Sequence, residues 1–282
     1  MFIEAVECPD TEFSDRRFLI QSDETLRAIL ATSAVYALIN PMKGASEADA
    51  VSAQADERKR TLTSVSQAAS TLRSSFQAVR FGQLQVDRLN PVADEISDRI
   101  DASPDLFLKV TRLKTKDEGT YVHSLSVSAL MMRLARSIGY GDEKARELGV
   151  AGLLHDVGKL MVPDAILNKK GRLEDDEKRV VRNHPELGYH LLKDQESMSG
   201  LILDVCRHHH EMLDGSGYPH GLKAEQISQE IRLSTVCDVF DALTSTRPYK
   251  RPWSNRDALN WMFDRGHLFD KKLVIRLGSI FS

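Results

Sequence analysis

The sequence is poor in cysteine, and its three cysteines stand far apart. Cys8, Cys206 and Cys237 form no CxxC pair within the 282 residues, which argues against a disulfide framework and is typical of a reducing compartment. No apolar run reaches the roughly eighteen residues of a membrane-spanning helix. The acidic Glu4 and Glu7 stand where a signal peptide would carry positive charge. We therefore predict a cytoplasmic protein without a membrane span.

A large excess of charge of one sign is also missing. The 38 Lys and Arg residues nearly balance the 41 Asp and Glu residues, so the net charge is −3 with histidine neutral. DNA and RNA polymers and anionic membrane surfaces attract strongly basic proteins, and the composition argues against these as general partners. With 41% apolar and 28% charged residues, the chain can bury a core, and wholesale disorder is excluded.

The apolar pattern divides the chain into three predicted parts. Residues 1–45 combine strand-like runs with a capped helix and predict a small α/β unit with a regulatory role. Residues 46–94 are rich in good helix formers and predict a helical connector, which could also join two copies in a homodimer; a flexible polar linker is the alternative. Residues 95–282 predict a helical bundle. The predicted fold class is therefore mainly α.

Within the predicted bundle, apolar residues recur at three- and four-residue spacing in eight segments. These segments are Val92–Ile100, Tyr121–Ile138, Glu143–Leu154, Asp175–Arg182, Pro185–Leu192, Leu201–Arg207, Glu230–Leu243 and Asn255–Phe263.

Histidine is unevenly distributed, and none of the nine histidines precedes His123. We interpret His190, His220 and His267 as ordinary core or surface residues. The other six stand at predicted helix ends or inward faces together with two aspartates: His123, His155, His184, His208, His209, His210, Asp156 and Asp238. Facing helices of a bundle build metal sites from such side chains. Because cysteine is absent from the clusters, the donor set suits Fe, Mn, Zn or Ni and argues against a structural zinc finger.

Two of these clusters are adjacent pairs, His155-Asp156 and His209-His210. Neighbours in a regular helix point about 100° apart, so both members of a pair converge on one site only at a helix end, such as the one that Gly158 would produce. The clusters contain more ligands than one ion can bind, and the carboxylate of Asp156 can bridge two ions. The pattern therefore predicts two divalent metal ions. Such a binuclear centre suits the displacement of a phosphoester.

Three segments carry a resemblance to a known family. Residues 154–159, LHDVGK, resemble the HD phosphohydrolase signature, and residues 209–219, HHEMLDGSGYP, match the defining motif of the HD-GYP family. Residues 238–243, DVFDAL, followed by RPY at 247–249, match a third block in the family's order. The resemblance covers about residues 95–280, and its long motif is confirmed by the flanking blocks. Residues 1–45 resemble, more loosely, a small domain of unknown function found ahead of HD-GYP modules.

The resemblance implies an all-helical HD-type bundle with cyclic di-GMP phosphodiesterase activity in bacterial signalling. Such hydrolases release pGpG, and many continue to GMP. The implied ions are two iron or manganese ions. The implied metal ligands are His123, His155, Asp156, His184, His209, His210 and Asp238.

The resemblance also implies roles around the metals. Asp156 would bridge the ions and be catalytic together with Lys159, which would hold a phosphate oxygen. Tyr218 would lie beside the substrate, and Arg247 and Lys250 would meet its phosphates or guanine. In addition, Asp214 and Asp241 would orient a histidine or the loop backbone, and His208 would be a neighbour of the site without being a ligand.

One position departs from the family pattern. Members with three metals carry a Glu one helical turn before the first histidine ligand, and here that position is Gly119. The resemblance therefore implies the two-metal branch, in which pGpG would accumulate. As an alternative, Glu118 or water would complete a third site.

Two other functions fit the same motifs. The domain could be a catalytically weak module that senses cyclic di-GMP or docks a diguanylate cyclase. It could also act on another cyclic dinucleotide or a nucleotide monoester, because the motifs fix the metals and the phosphate more firmly than the base.

Overall fold

The computed structural model describes most of the chain, and the statements below concern those residues. They are 2–7, 18–20, 22–32, 36–40, 47–79, 81, 83, 86–112, 119–195, 198–246 and 251–281. The chain separates into two units, Met1–Arg60 and Thr61–Ser282, and each is described by itself. The three-part division at 1–45, 46–94 and 95–282 remains a prediction.

The first unit contains a small antiparallel sheet. Its strands are β1 (Phe2–Glu7), β2 (Phe18–Leu19) and β3 (Tyr36–Asn40), in the order β2-β1-β3. Helix α1 (Asp23–Leu30) follows Ser22, whose hydroxyl accepts a hydrogen bond from the Thr25 backbone N–H. This N-cap supplies one of the hydrogen-bond acceptors that the first helical turn lacks.

The rest of the described chain is helical. The helices are α2 (Glu47–Val79), α3 (Asn90–Ala102), α4 (Pro104–Arg112), α5 (Gly119–Ser137), α6 (Asp142–Leu154), α7 (Asp164–Leu167), α8 (Asp175–Arg182), α9 (His184–Leu192), α10 (Gly200–His208), α11 (Gln229–Thr244), α12 (Asn255–Phe263) and α13 (Lys271–Ser279). Short 3-10 turns lie at Val86–Arg88, Val157–Met161 and Ala224–Gln226. The predicted helical bundle is thus confirmed. Residues 47–79 form one helix, so the alternative of a flexible linker is wrong for them.

Helix α5 lies at the centre of the bundle. It packs against α3, α4, α6, α11 and α13, and it is buried around almost its whole circumference from Val122 to Met132. Burial on every side, with the polar Ser124 and Ser128 included, shows that neighbouring helices surround α5. Gly152 of α6 brings this pair especially close, because a Cβ there would lie 2.7 Å from the Cα of Ser128. The close packing places the start of α5 beside the end of α6.

Among the described residues, no helix combines the length and the apolar character that crossing a bilayer requires.

Cys206 and Cys237 are buried, unpaired thiols inside the helical bundle, whereas Cys8 lies outside the described residues. Burial raises the pKa of both described thiols, so they remain protonated and serve as core residues.

Candidate metal centre

Side chains from five helices converge at one end of α5. His123 stands on α5, His184 begins α9, and Asp238 lies in the middle of α11. Two adjacent pairs follow helix ends: His155-Asp156 after α6 and His209-His210 after α10. All seven predicted metal ligands therefore lie in a single cluster.

Asp156 lies at the middle of the cluster and is 1% exposed. Its Oδ1 lies 3.1 Å from Nε2 of His184 and 3.8 Å from Nε2 of His209. Its Oδ2 lies 3.4 Å from Nε2 of His155 and 3.8 Å from Nε2 of His123. Each carboxylate oxygen thus faces its own pair of imidazoles, which is the arrangement that a bridging carboxylate needs.

Asp238 adds a second carboxylate. Its Oδ1 lies 3.0 Å from Nε2 of His123, and its Oδ2 lies 3.6 Å from Nδ1 of His210. Two groups of donor atoms can be defined in which all atoms lie within 4.8 Å of one another. One group contains Asp156, His184, His209 and His210, and the other contains His123, His155 and Asp156. The groups share only Asp156.

The histidine rings are oriented from behind by hydrogen bonds. The Nδ1 atoms of His155 and His184 each lie 2.8 Å from a backbone carbonyl oxygen, those of Gly152 and Val181, and Nδ1 of His209 lies 3.0 Å from the carbonyl of Cys206. A carbonyl only accepts, so each Nδ1 carries the proton. The Nε2 lone pairs therefore point into the cluster, as they do in metal-binding histidines.

His123 is oriented by a carboxylate. Its Nδ1 lies 2.6 Å from Oδ2 of the fully buried Asp241. The other oxygen of Asp241 accepts hydrogen bonds from the hydroxyls of Ser126, at 2.5 Å, and Ser245, at 3.0 Å. Asp241 thus has the orienting role that the resemblance implies. Asp214 is exposed, and its Oδ1 accepts the Ser216 backbone N–H at 2.9 Å, so it contacts the loop backbone, which is the other role that the resemblance implies.

The electrostatics of the cluster favour the protonation states that bind cations. Burial, with the nearby His210, His155 and His184, holds the pKa of His209 well below its usual value. Burial, aided by His184, lowers the pKa of His210 to about 3 even though Asp238 opposes this shift. Burial alone would raise the pKa of Asp156, but the positive charge of Lys159 and the nearby His155 outweigh it and hold that pKa well below its usual value. Neutral imidazoles and ionised carboxylates are the forms that ligate metals.

Two buried polar atoms of the cluster indicate whether divalent cations fit there. Nε2 of His155 and Oδ1 of Asp156 are buried and make no hydrogen bond within the described residues. Buried polar atoms without a hydrogen bond are costly unless an ion or another partner satisfies them. Imidazole and carboxylate donors at these spacings suit borderline and hard divalent cations. The residues present therefore fit divalent metal ions.

The other predicted site residues have mixed outcomes. Nζ of Lys159 lies 2.5 Å from Oδ2 of Asp156, and its side chain is 24% exposed, so it can reach a ligand. The ring centroid of Tyr218 lies 4.6 Å from that of His210. His208 faces away from the cluster, with its ring 5.3 Å from that of His220. The predicted substrate-binding residues Arg247 and Lys250 lie outside the described residues.

Comparison with known proteins decides the family. Residues 96–273 match the sequence model described as the HD domain. The chain belongs to the HD domain family. Within it, the HHEMLDGSGYP segment makes this chain an HD-GYP member.

This HD domain protein is similar in sequence to several bacterial phosphodiesterases, among them three from different species. Cyclic di-GMP phosphodiesterase PA4108 of Pseudomonas aeruginosa is 47% identical over 74% of this chain and 50% of its own length. Cyclic di-GMP phosphodiesterase response regulator RpfG of Xanthomonas campestris is 36% identical over 72% of this chain and 54% of its own. 3'3'-cGAMP-specific phosphodiesterase 2 of Vibrio cholerae is 35% identical over 57% of this chain and 31% of its own. The chain thus spans about half or less of these relatives.

The fold of this HD domain protein also resembles a solved structure. Bd1817, an HDG"Y"P protein from Bdellovibrio bacteriovorus, superposes with a TM-score of 0.63 at 15% identity. The similarity covers 100% of this chain and 95% of the other. At that identity the likeness concerns the fold alone.

The loop at residues 211–222 contains the sequence GYP, is therefore called the GYP loop, and is held by Glu211. The sequence alone assigned no role to this glutamate. Glu211 is 1% exposed, and its two carboxylate oxygens accept the backbone N–H groups of His220, at 2.7 Å, and Leu222, at 2.9 Å. Because Glu211 directly follows His210, it ties the far end of the loop to the helix end that carries two predicted ligands. Its position next to that pair was the available signal.

Two glycines let the same loop fold back on itself. Gly215 has a φ of +84°, a conformation that L side chains rarely adopt. A Cβ on Gly217 would lie 2.4 Å from the Met212 nitrogen and 2.5 Å from the Glu211 Cα. With both glycines in place, the Tyr218 N–H donates to the His210 carbonyl at 3.2 Å. The tyrosine ring is thereby brought against the metal cluster.

Proposed function

We propose that this chain is a metal-dependent phosphodiesterase that hydrolyses cyclic di-GMP to pGpG. The observation that supports this proposal most strongly is the pair of imidazole groups on the two oxygens of Asp156. The two relatives named cyclic di-GMP phosphodiesterases add support from outside the chain. The proposed setting is signalling in the bacterial cytoplasm, where the enzyme would lower the second-messenger level.

The proposed cofactor is a pair of divalent ions, iron or manganese. Their proposed ligands are His123, His155, Asp156, His184, His209, His210 and Asp238, with Asp156 shared. Bound there, the ions would supply an acidic water as the nucleophile and would neutralise charge on the phosphoryl oxygens. Support for two ions comes from the two donor groups that share one carboxylate.

The protein's own residues would bind and orient the phosphodiester. The Lys159 ammonium contacts Asp156, and its side chain is 24% exposed, so it can pair with a phosphoryl oxygen, where it would stabilise developing negative charge. Tyr218 forms a wall beside His210 and His184, and a flat ring there restricts how a nucleotide enters. Buried Asp156 and Asp238 remain ionised through the reaction, so they hold charge and need not move protons. Arg247 and Lys250 are proposed as further substrate contacts.

The proposed product follows from Gly119, the first residue of α5. A Cβ at this position would meet none of the described residues within 4 Å, and glycine itself offers no carboxylate one turn before His123. A third ion would lack the carboxylate that three-metal members place there. The terminal phosphate of pGpG would then lack a partner, and pGpG should be cleaved slowly. Glu118 lies outside the described residues.

The choice of base within the substrate is the finer part of the proposal. One relative is named for cyclic di-GMP and another for 3'3'-cGAMP. We propose cyclic di-GMP as the preferred substrate because the relative at 47% identity carries that name, whereas the cGAMP-specific relative is 35% identical. The N-terminal unit would regulate this activity, through a homodimer or through contact with a diguanylate cyclase.

Anaerobic reconstitution of the full chain tests the proposal. The protein is stripped of metal, loaded separately with Fe(II), Mn(II) or Zn(II), and supplied with cyclic di-GMP or 3'3'-cGAMP. We expect the iron or manganese form to convert cyclic di-GMP to pGpG faster than it converts the mixed dinucleotide, and exposure to air to inactivate the iron form. Absence of turnover with all three metals would contradict the proposed function, and equal activity with zinc would contradict the metal assignment.

A further inference from the structure

One cation at the edge of the metal cluster has no role in the proposal so far. Arg182 ends helix α8, two residues before His184. The carbonyl of the preceding residue, Val181, accepts the hydrogen bond from Nδ1 of His184 at 2.8 Å. The backbone at Arg182 is therefore fixed relative to a proposed metal ligand.

The side chain of Arg182 is positioned by an aromatic ring. Its guanidinium carbon lies 4.8 Å from the ring centroid of Tyr218. That ring lies 4.6 Å from the ring of His210 and 6.5 Å from the ring of His184. A guanidinium on an aromatic face keeps its N–H donors free at the ring's edge. The contact thus holds a positive charge on a ring that itself lies against two histidines of the cluster.

Arg182 differs from other cations of α8 in how its charge is paired. Two other cations of α8 pair with carboxylates on the same helix: Lys178 with Asp175, and Arg179 with Asp176. Within the described part of the chain, Arg182 has no carboxylate at ion-pair distance, and its side chain is exposed. An arginine held by a ring, with its donors open to solvent, is suited to bidentate pairing with a phosphate.

We infer that Arg182 is a substrate-binding residue that takes the second phosphate of a cyclic dinucleotide, with Tyr218 as its support. The inference rests on the proposed function. The scissile phosphate would lie at Asp156 and Lys159. A cyclic dinucleotide carries another phosphate, and Arg182, held on the ring of Tyr218, offers an exposed cation that would pair with it. Arg182 would therefore select substrates with two phosphates over simple phosphodiesters.

The test compares two substrates in three variants of the full chain loaded with its active metal. Cyclic di-GMP has two phosphates, and bis(p-nitrophenyl) phosphate has one. The variants are Arg182→Gln, Arg182→Lys and, as a matched control, Arg179→Gln, which removes an exposed arginine from the same helix. Where the small diester is not hydrolysed, its inhibition constant against cyclic di-GMP replaces its KM. Metal content is measured for each variant.

We expect Arg182→Gln to raise the KM for cyclic di-GMP about tenfold, the loss of one charge-assisted contact. The rise should be several times larger than that for the small diester, with kcat and metal content close to the parent values. Arg182→Lys should fall between the two, because it keeps charge and loses the bidentate geometry. Arg179→Gln should match the parent.

Three results would overturn the inference while leaving the proposed function intact. The first is an unchanged KM for cyclic di-GMP in Arg182→Gln. The second is an equal change for both substrates, which would show that Arg182 only supports Tyr218. The third is a loss of metal from the variant. If the parent chain neither binds nor hydrolyses cyclic di-GMP, the proposed function fails first, and the inference fails with it.

Discussion

The side chain of Asp156 has a position that no other residue of the cluster shares, because it belongs to both donor groups. Replacing it by Ala should abolish hydrolysis of cyclic di-GMP and lower the metal content, since both proposed ions lose the same ligand. Helical circular dichroism should be retained, because the surrounding core is apolar and extensive. Metal analysis and a product assay measure the two effects. Asp194→Ala, at an exposed carboxylate, is the control. Full activity with two ions bound would rule out the assigned centre.

Asp241 tests how much the orientation of a ligand matters. The Asp241→Asn change can place an amide N–H opposite Nδ1 of His123 and disturb the tautomer that frees Nε2. We expect metal affinity to fall by about 10- to 100-fold, the usual range for residues behind a ligand. Competition with a chelator measures this affinity. Ser245→Ala, which removes one hydrogen bond at 3.0 Å from the same carboxylate, should have a smaller effect. An Asn variant with unchanged affinity would show that Asp241 only packs.

At the residue scale, the sequence predicted the proposed metal ligands better than the residues that position the loop and the substrate around them. Four of the seven predicted ligands stand out as the adjacent pairs His155-Asp156 and His209-His210, and the others fall within the predicted helical bundle with them. Glu211 has only its place beside the second pair as a signal, and Arg182 has none. Glu211 functions through backbone N–H groups nine and eleven residues away, and Arg182 depends on a ring 36 positions away along the chain. Contacts of this kind depend on the loop fold, which the letters alone do not reveal.

At the scale of elements, the 3-10 turn Val157–Met161 lies directly against α9. Gly158 permits this, because a Cβ there would lie 1.9 Å from the His184 carbonyl oxygen and 2.4 Å from the Gly188 nitrogen. These are backbone atoms, so they cannot yield as the tip of a side chain would. The contact sets the distance between the element that carries Asp156 and the one that carries His184.

The Gly158→Ala change should therefore destabilise the protein by at least about 2 kcal/mol and abolish activity. Chemical denaturation followed by circular dichroism measures the free energy of unfolding, and metal content reports the cluster. Gly200→Ala is the matched control, since a Cβ on Gly200 would meet nothing within 4 Å. Equal stability of the two variants would contradict the close approach of the turn and α9.

A second element-scale prediction concerns the loop that Glu211 holds. In Glu211→Gln, one carboxylate oxygen becomes an NH₂ group facing a backbone N–H, so one hydrogen bond is replaced by a clash of donors. We expect faster hydrogen exchange at the His220 and Leu222 amides and at least about a tenfold loss of kcat/KM. Glu225→Gln, at an exposed position of the same loop region, should change neither. Unaltered exchange at both amides would show that the loop is held by other contacts.

The predicted helices agree with most of the bundle. The predicted Tyr121–Ile138 and Glu230–Leu243 correspond to α5, Gly119–Ser137, and α11, Gln229–Thr244. Helices α4, α7 and α13 are missing from the predicted set. α7 spans four residues and is too short to show a period. The spacing of Leu273, Val274 and Leu277, behind the capping side chain of Asp270, is a readable signal for α13.

At the scale of the whole molecule, the proposed product depends on Gly119, the first residue of α5 and one helical turn before His123. Introducing a carboxylate through Gly119→Glu should add an ion and speed the conversion of pGpG to GMP, because a Cβ there would meet none of the described residues within 4 Å. Metal stoichiometry and chromatography of the nucleotides measure the two effects. Gly119→Gln, equal in size and uncharged, is the control. Nearly three ions per chain in the unaltered protein, or its rapid release of GMP, would overturn the two-metal interpretation.

The organisation of the whole chain was harder to predict than its fold class. The two units meet at Arg60 and Thr61, inside the single helix α2. The polar residues of this helix continue across that position without a glycine or proline, so no feature of the sequence announces where the contacts change. The family match begins further on, at residue 96. Composition therefore predicts a helix in this part of the chain but does not show where one unit ends and the next begins.

The eleven letters HHEMLDGSGYP have one more consequence. Only the two histidines supply donor atoms, while Glu211, Gly215 and Gly217 shape the loop. During evolution a descendant could lose His123 or Asp238, and with it turnover, while every letter of the string survived to preserve the loop. Genome surveys that search for the string alone therefore count loops of this shape. Surveys that also require the distant histidines and aspartates would count enzymes, and the difference between the two totals would measure how often this scaffold has outlived its chemistry.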